Sequence, residues 1–258
     1  MFSFEIFDIK LDTEFIGRNF IFSDEADSTN SALIDRGNKY NTNGTVFYTE
    51  KQLKGRGRKN RPWYSAKELN LTFSILLNNK KHITESPVLL NFAASLAVGN
   101  ALENLYQFKV ELKWPNDVLI NGKKICGILT ESTSEGNKID RLVIGFGINV
   151  NQTMFQGSYN IPPTSVKLEI NESAEREKLL AEVLNNFEEL LLVLIKSPEN
   201  ILKDWKQRCS MIGDKISITD DDKVKYGIFE DVDENGFLLL KDNNDRIEKI
   251  HYGDVSLR

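Results

Sequence analysis

Val110-Glu111-Leu112-Lys113-Trp114-Pro115-Asn116-Asp117-Val118-Leu119-Ile120-Asn121-Gly122-Lys123-Lys124-Ile125-Cys126-Gly127-Ile128-Leu129 carries the clearest local signal in the chain. Asn121-Gly122 is the preferred two-residue type I′ hairpin turn, because both of its positions need positive φ. It pairs a strand over 118–120 with a second over 124–131. Pro115 interrupts the chain ahead of this hairpin and keeps Lys113 and Trp114 extended. Lys113, Asn116, Asp117 and Lys124 therefore meet where the hairpin joins the strand before it. Gly127, a glycine inside a strand, predicts close approach by a ligand or another backbone. Taken singly, Lys123 and Lys124 read as surface residues beside a turn, and Asn116-Asp117 as turn residues. Two further stretches change that reading.

Downstream, Arg141-Leu142-Val143-Ile144-Gly145-Phe146-Gly147-Ile148-Asn149-Val150-Asn151 is a buried strand with two glycines. No third glycine follows and no helix opens here, so the pair is not a dinucleotide fingerprint. As a pocket-lining strand it offers Asn149 to a ligand or a metal. Upstream, Lys54-Gly55-Arg56-Gly57-Arg58-Lys59-Asn60-Arg61-Pro62-Trp63 lies in a segment, 51–67, whose charged residues are all basic, although the chain carries net charge −5. Gly55 and Gly57 permit close backbone approach and positive φ. Arg56, Arg58 and Arg61 supply planar donors suited to carboxylate and phosphate oxygens. Without an anion the three guanidiniums repel one another, so the loop is expected to be mobile when empty. On its own it reads as a solvated basic loop. Its position between a strand at 44–49, which delivers Gln52, and another at 69–77, with Trp63 packing at its far end, makes it a flap over a sheet-borne pocket. Further upstream, any of Asp27, Ser28 and Thr29 can cap a helix running to about Arg36 and stopping at Gly37. Ser28, Thr29 and Asn30 are then either cap residues only or a site for a polar ring or an anion beside free helix N–H groups.

At 258 residues the chain has room for one large domain, or one large and one small. Apolar content of 40% and charged content of 28% are ordinary for a globular protein. No apolar run approaches the ~20 residues that span a bilayer, and the first ten residues lack the basic start of a signal peptide. Cys126 and Cys209 stand alone without zinc spacing, which suits a reduced, cytoplasmic setting. The acidic balance argues against bulk nucleic-acid binding. The first twenty residues form an edge strand or a short lead-in. A helix from Ser86-Pro87 to about Tyr106 is apolar almost all round and belongs in the core. Another starts at Ser173 or Asn171 and ends near Lys196, and a third follows Ser197-Pro198. From about Met211 short strands at 215–218, 224–229 and 237–240, a turn at 233–236 and one or two strands within 247–255 describe a compact β-barrel. So small a unit is marginal alone and should dock on the large domain. The fold class is α+β: a mixed sheet flanked by helices over 1–210, then a small barrel over 211–258.

Read together, Gly55-Arg56-Gly57-Arg58-x-x-Arg61-x-Trp63, then Lys113-Trp114-Pro115-Asn116-Asp117 followed by Lys124-x-x-Gly127-Ile128-Leu129, then Gly145-x-Gly147-Ile148-Asn149-Val150-Asn151 resemble the three signatures of biotin protein ligase, also called biotin–[acetyl-CoA-carboxylase] ligase. The three occur in the family's order and the match covers almost the whole chain. The resemblance implies a class II synthetase-like catalytic domain followed by an SH3-like barrel. It implies that Ser28, Thr29, Asn30 and Gln52 contact the biotin ring system. Arg56, Gly57 and Arg58 would close over biotin and its adenylate, beside Gly127. Arg58, Arg61 and Trp63 would serve the ATP side with Lys113, Asn116 and Asn149, the last near the nucleotide or its Mg²⁺. Lys124 would reach the biotin carboxylate and α-phosphate, and Arg58, Lys113, Asp117 and Lys124 form the expected catalytic set. Asp117 serves there as a base or as a positioning group. No firm protein metal site and no permanently bound cofactor are implied: ATP with Mg²⁺ and biotin are substrates. Asn60 departs from the family's usual glycine, although Asn tolerates positive φ best after Gly.

Joining a carboxylate to ATP brings two anions together, so the residues needed are cations that neutralise and align them. No protein nucleophile is required, in keeping with isolated cysteines and with His82 and His251 lying outside the motifs. The acceptor is expected to be a lysine of a biotin carboxyl carrier protein. No DNA and no membrane partner is expected, and a homodimer is left open. Ligases of this family that repress transcription carry an N-terminal winged helix, for which too little chain precedes Ser28. Two rivals stand against this reading: a lipoate or octanoate ligase or transferase of the same fold, which lacks this Arg-loop pattern, and a non-enzymatic nucleic-acid binder using the basic loop with Trp63 and Tyr64.

Overall fold

The computed structural model describes residues 2–37, 39–84, 86–220 and 223–257. Seven strands form one sheet in the order β1 (Phe20–Ala26), β2 (Val46–Gln52), β3 (Leu71–Leu77), β7 (Lys138–Ile148), β6 (Lys123–Glu135), β5 (Asp117–Ile120), β4 (Val110–Lys113). β1 and β2 run parallel and the other neighbours antiparallel, so the mixed sheet is present. Asn121 (φ 51°) and Gly122 (φ 69°) are both left-handed, as the β5–β6 turn requires.

Strand alternation assigns the two faces of this sheet. Leu71, Phe73, Ile75 and Leu77 of β3, with Leu142, Ile144, Phe146 and Ile148 of β7, enter the main core. Helices α3 (Pro87–Tyr106), α5 (Arg176–Lys196) and α6 (Pro198–Arg208) supply the other half of that core. Thr72, Ser74 and Leu76, with Val143, Gly145 and Gly147, are the alternate residues and face the other way. On that side the short helix α2 (Thr29–Ile34) covers only a patch, where Leu33, Phe47, Leu76 and Val143 form a second small cluster. The rest of this face is left to the functional cavity.

Several boundaries differ from the sequence reading, each for a local reason. The first residues form helix α1 (Phe4–Lys10), capped by Ser3, and the edge strand is β1 instead. Phe7 and Leu11 are the buried pair, and a spacing of four is helical. Helix α2 ends at Ile34, because Asp35 is already extended, and does not reach Gly37. Asn171 closes the short helix α4 (Val166–Ile170) in a left-handed conformation (φ 61°), so α5 starts only at Arg176. Helix α3 is long and apolar enough to cross a membrane by length and composition, which a scan for apolar runs does not reveal; 67% of that window is buried inside the fold, as a core helix should be.

The C-terminal strands form a five-stranded antiparallel, SH3-like unit in the order β11 (Ile247–Ile250), β10 (Leu238–Lys241), β9 (Lys223–Val232), β8 (Lys215–Asp220), β12 (Asp254–Leu257). Its β9–β10 turn seats on the first turn of α3. The Gly236 carbonyl accepts a 2.9 Å hydrogen bond from Trp114 Nε1, and a Cβ on Gly236 would come within 2.8 Å of Val88. This contact presents the start of β12 to the edge of the cavity.

Candidate active site

The floor of the site is made by what its strands omit. Gly127 pairs with Gly147 across β6 and β7, and Leu129 with Gly145. The adjacent missing side chains leave a trough in the open face, part of a cavity of about 480 Å³. The Trp63 indole lies in the trough. A Cβ on Gly147 would sit 2.4 Å from its Cε2, and one on Gly127 3.1 Å from its Cζ3. Gly127 is thus approached by an indole and by the end of Lys124, and of the two alternatives left open, a ligand or another backbone, it is not another backbone that lies closest. Trp63 Nε1 is buried there without a hydrogen-bond partner.

The flap is itself a small hairpin. Arg56 bridges Pro62, Gly57 N donates to the Arg61 carbonyl (2.7 Å), and Trp63 N donates to the Gly55 carbonyl (2.9 Å). Its turn, Arg58–Asn60, places Lys59 (φ 53°) and Asn60 (φ 55°) in the left-handed region. Gly55 and Gly57 permit positive φ, but neither adopts it. Gly55 is needed for space instead: a Cβ would lie 2.5 Å from the Trp63 carbonyl and 2.9 Å from Gln52 Nε2. The expected repulsion among guanidiniums is offset by carboxylates brought from elsewhere. Arg56 pairs with Glu131 on β6 (2.8 Å) and Arg61 with Asp254 on β12 (2.8 Å). Arg58 lies 3.8 Å from Asp254 and donates to the Gly253 carbonyl (3.1 Å). Burial pulls the Arg58 pKa below its ordinary value, opposed by Asp254 and Asp117.

The cations gather at one end of the cavity. Lys124 Nζ is 2.6 Å from Asp117 Oδ1. The β5–β6 register slips by one residue here: Val118 pairs with Cys126 but Leu119 with Lys124. The extra residue restarts the alternation, so Lys124 turns to the same face as Gly127. Lys113 pairs with Asp117 across β4–β5 and is 9% exposed. Burial pulls its pKa down, Asp117 pushes it up, and Lys124 pulls it down again. Asn116 donates its side-chain amide to the Ile128 carbonyl and accepts from Ile128 N, which fastens the residue before Asp117 to β6. Asn149 commits Nδ2 to the Thr164 carbonyl (2.9 Å), leaving its side-chain oxygen as the group it can offer. Asn151 pairs through both amide atoms with Ala174 and lies outside the cavity.

The other end is polar and nearly uncharged. Ser28 caps α2, its Oγ accepting from Ser31 N (3.3 Å). Thr29 N donates to Gln52 Oε1 (2.8 Å), and Thr29 Oγ1 and Ser74 Oγ share a hydrogen bond of 2.6 Å. Asn30 bonds to Leu129, Glu131 and Ser74. Of the three caps left open by the sequence, Ser28 is the one used.

Every site residue named from the sequence lines this one cavity. Asp254 and the wall formed by residues 155–161 were missed, as was Glu131, the carboxylate that holds Arg56. Glu131 was legible, since Gly127, Leu129 and Glu131 alternate onto one face. Asp254 carried no local signal, because it arrives by docking of the C-terminal unit.

Residues 23–149 match the biotin/lipoate A/B protein ligase family, and residues 211–258 match the biotin protein ligase C-terminal domain. The chain is 32% identical to the bifunctional ligase/repressor BirA of Bacillus subtilis over 252 residues, covering 96% of this chain and 76% of that relative. The chain belongs to the biotin protein ligase family. This ligase is also 30% identical to the biotin–[acetyl-CoA-carboxylase] ligase of Paracoccus denitrificans, covering 83% of this chain and 91% of the relative. It superposes on the biotin protein ligase from Aquifex aeolicus in complex with biotin and ATP with a TM-score of 0.80 at 30% identity, covering 93% of this chain and 99% of that one. The first matched segment contains the flap, the cation cluster and Asn149 of this ligase, and the second contains Asp254.

Proposed function

We propose that the two ends of the cavity divide the work of biotin ligation. The protein activates biotin with ATP to biotinyl-AMP and transfers the biotin to a carboxylase carrier protein. In the first step a biotin carboxylate oxygen attacks the α-phosphorus and pyrophosphate leaves. In the second the carrier's lysine amine attacks the acyl carbon, AMP leaves, and the amine gives up a proton.

The nearly uncharged end, Ser28, Thr29, Asn30 and Gln52, takes the ureido ring system, whose N–H and C=O groups need fixed donors and acceptors rather than charge. Arg56 and Gly57 close over it with Gly127 below. The carboxylate then points toward Lys124, and the α-phosphate toward Lys124, Arg58 and Lys113. Arg61, Trp63 and Asn116 bound the nucleotide side. These cations stabilise the charge that builds on the phosphoryl oxygens. Among the described residues no group of three His, Cys, Asp or Glu side chains is arranged to hold a metal. Mg²⁺ would enter with the triphosphate, and the Asn149 side-chain oxygen is a donor it could use. Asp117, already engaged by Lys124 at 2.6 Å, acts as a positioning group. The acceptor lysine belongs to a biotin carboxyl carrier protein. Two free, buried cysteines suit the reducing cytoplasm.

The observation that carries these assignments is the separation of neutral and cationic groups at opposite ends of one cavity. The experiment is biotin-dependent exchange of labelled pyrophosphate into ATP. Lys124→Ala and Arg58→Ala should abolish most of the exchange, while Gln52→Ala should chiefly raise the biotin KM. Equal loss of ATP and biotin affinity in all three would refute the division.

A further inference from the structure

Glu131 makes as many directed contacts at the neutral end as the residues assigned there. Both its oxygens accept from Arg56 Nη2, at 2.8 and 3.0 Å. Its Oε2 also accepts from Asn30 Nδ2 at 2.8 Å. Arg56 is fixed on its other side by Nη1 donating to Ser31 Oγ (2.8 Å). Three separate pieces of chain meet on one carboxylate: the flap, the first turn of α2, and β6.

The Asn30 amide can be counted atom by atom. Nδ2 has two hydrogens, and they go to the Leu129 carbonyl (3.0 Å) and to Glu131. Its oxygen already accepts from Ser74 Oγ. The side chain sits where a Gly145 Cβ would be, 2.2 Å from its Oδ1, so it has no room to turn. An amide with both hydrogens spent has no donor left for a ligand. Asn30 therefore fixes the geometry of the α2 start and can offer the ring system only the second lone pair of its oxygen, while the donors of this end belong to Ser28, Thr29, Gln52 and the flap backbone.

We infer that Glu131 is a positioning residue for biotin: its carboxylate clamps Arg56 and Asn30 together, setting the closed position of the flap relative to Ser28 and Thr29. It works through those groups and touches no reacting atom. The charge matters as well as the reach. A glutamine at this position has one acceptor oxygen for three incoming N–H bonds, and its amide hydrogens would face the donors of Arg56 and Asn30. An aspartate keeps the charge but is one methylene too short to span both partners.

The inference rests on the cavity being the biotin site, so biotin binding and catalysis are measured separately. Calorimetric titration of the full chain with biotin alone gives Kd, and pyrophosphate exchange gives KM for biotin and ATP with kcat. Glu131→Gln should weaken biotin about 10-fold or more in Kd and KM, leave the ATP KM and the rate at saturating biotin within about threefold, and leave Tm nearly unchanged. Glu131→Asp should fall between it and the wild type. Arg56→Gln combined with Glu131→Gln should be no worse than the more damaged single variant, because the two act as one unit. Equal rises in both KM values with a lowered Tm, or independent multiplying effects of the two substitutions, would overturn the inference. Unchanged biotin affinity in both Glu131 variants would do the same. Wild-type protein that binds biotin but gives no exchange would remove the ligase assignment while leaving the Glu131 comparison intact.

Discussion

Gly147→Ala tests the trough directly. The added Cβ would lie 2.4, 2.5 and 2.6 Å from Cε2, Cζ2 and Nε1 of Trp63. Ordinary carbon contacts lie near ~3.5–4.0 Å, so the indole must retreat by roughly 1 Å. The sheet itself cannot yield, because β7 is paired on both sides and its other face is core. Overpacking of this kind costs about 1–3 kcal/mol. Trp63 belongs to the flap, whose main-chain bond to Gly55 ties ring movement to hairpin movement. The strain is therefore relieved by lifting the flap rather than by unfolding. Converted at ~1.36 kcal/mol per decade, it lowers the closed population roughly 5- to 150-fold. Pyrophosphate exchange at varied biotin, with calorimetric Tm as the control, reads this out: the biotin KM rises into that range and Tm barely moves. A biotin KM within twofold of wild type would show that the indole does not need its seat. A large fall in Tm would show that the sheet, and not the flap, takes the strain.

Arg58→Ala and Lys124→Ala each remove a charge-assisted contact worth about 1.5–3 kcal/mol, so the adenylation rate should fall roughly 10- to 100-fold or more; stopped-flow release of pyrophosphate measures it. Arg176 and Glu50 form a buried ion pair beneath β2, with Nη2 to Oε1 at 3.1 Å and Tyr48 bonded to the same carboxylate. Arg176→Met strands that charge and should cost about 3–5 kcal/mol in denaturant unfolding, with Glu50→Gln in the same chain recovering part of the loss. Asn43 Oδ1 accepts from Asn78 N and Asn79 N, so its Nδ2 must donate to His82 Nδ1, which holds the ring neutral. Burial pulls the His82 pKa below 6.5. The unfolded chain then binds more protons near that value, and stability contributed by neutral His82 falls as pH drops through it. His82→Asn should flatten the Tm profile between pH 5 and 7 by a fraction of the wild-type slope. Burial raises the thiol of Cys126 and pushes that of Cys209 up to about 11, so iodoacetamide should leave exchange activity intact; inactivation would bring a thiol into the chemistry.

What was legible in the sequence was local. The Asn121-Gly122 turn and the Ser86-Pro87 helix start depend on neighbouring residues, and both appear where expected. The site residues were legible as a set through the three motifs that resemble the biotin protein ligase signatures, and those residues line one cavity. What was not legible depended on chain segments far apart. The partner of Arg61 lies 193 residues away on a separate sheet. The one-residue slip that turns Lys124 toward Gly127 leaves no mark in composition. The flap glycines were read through close approach to a ligand and through φ, but the crowding at Gly55 comes from Trp63 folding back across it, and the positive φ fell to Lys59 and Asn60.

Cys126 and Gly127 are adjacent on β6, yet the thiol enters the main core and the glycine faces the cavity. Alternation thereby keeps this thiol out of the site, where charge and alignment act. Two unit charges ~4 Å apart repel by about 4 kcal/mol at an effective dielectric near 20. Two or three charge-assisted contacts of about 1.5–3 kcal/mol each offset that repulsion between a carboxylate and a phosphate. The same arithmetic applies to the empty protein, where Arg58, Arg61, Lys113 and Lys124 would repel one another as strongly. Asp117 and Asp254 halve that excess charge, leaving two net positive charges for the substrates. The site can then be cationic enough to join two anions and still fold around itself when neither is bound.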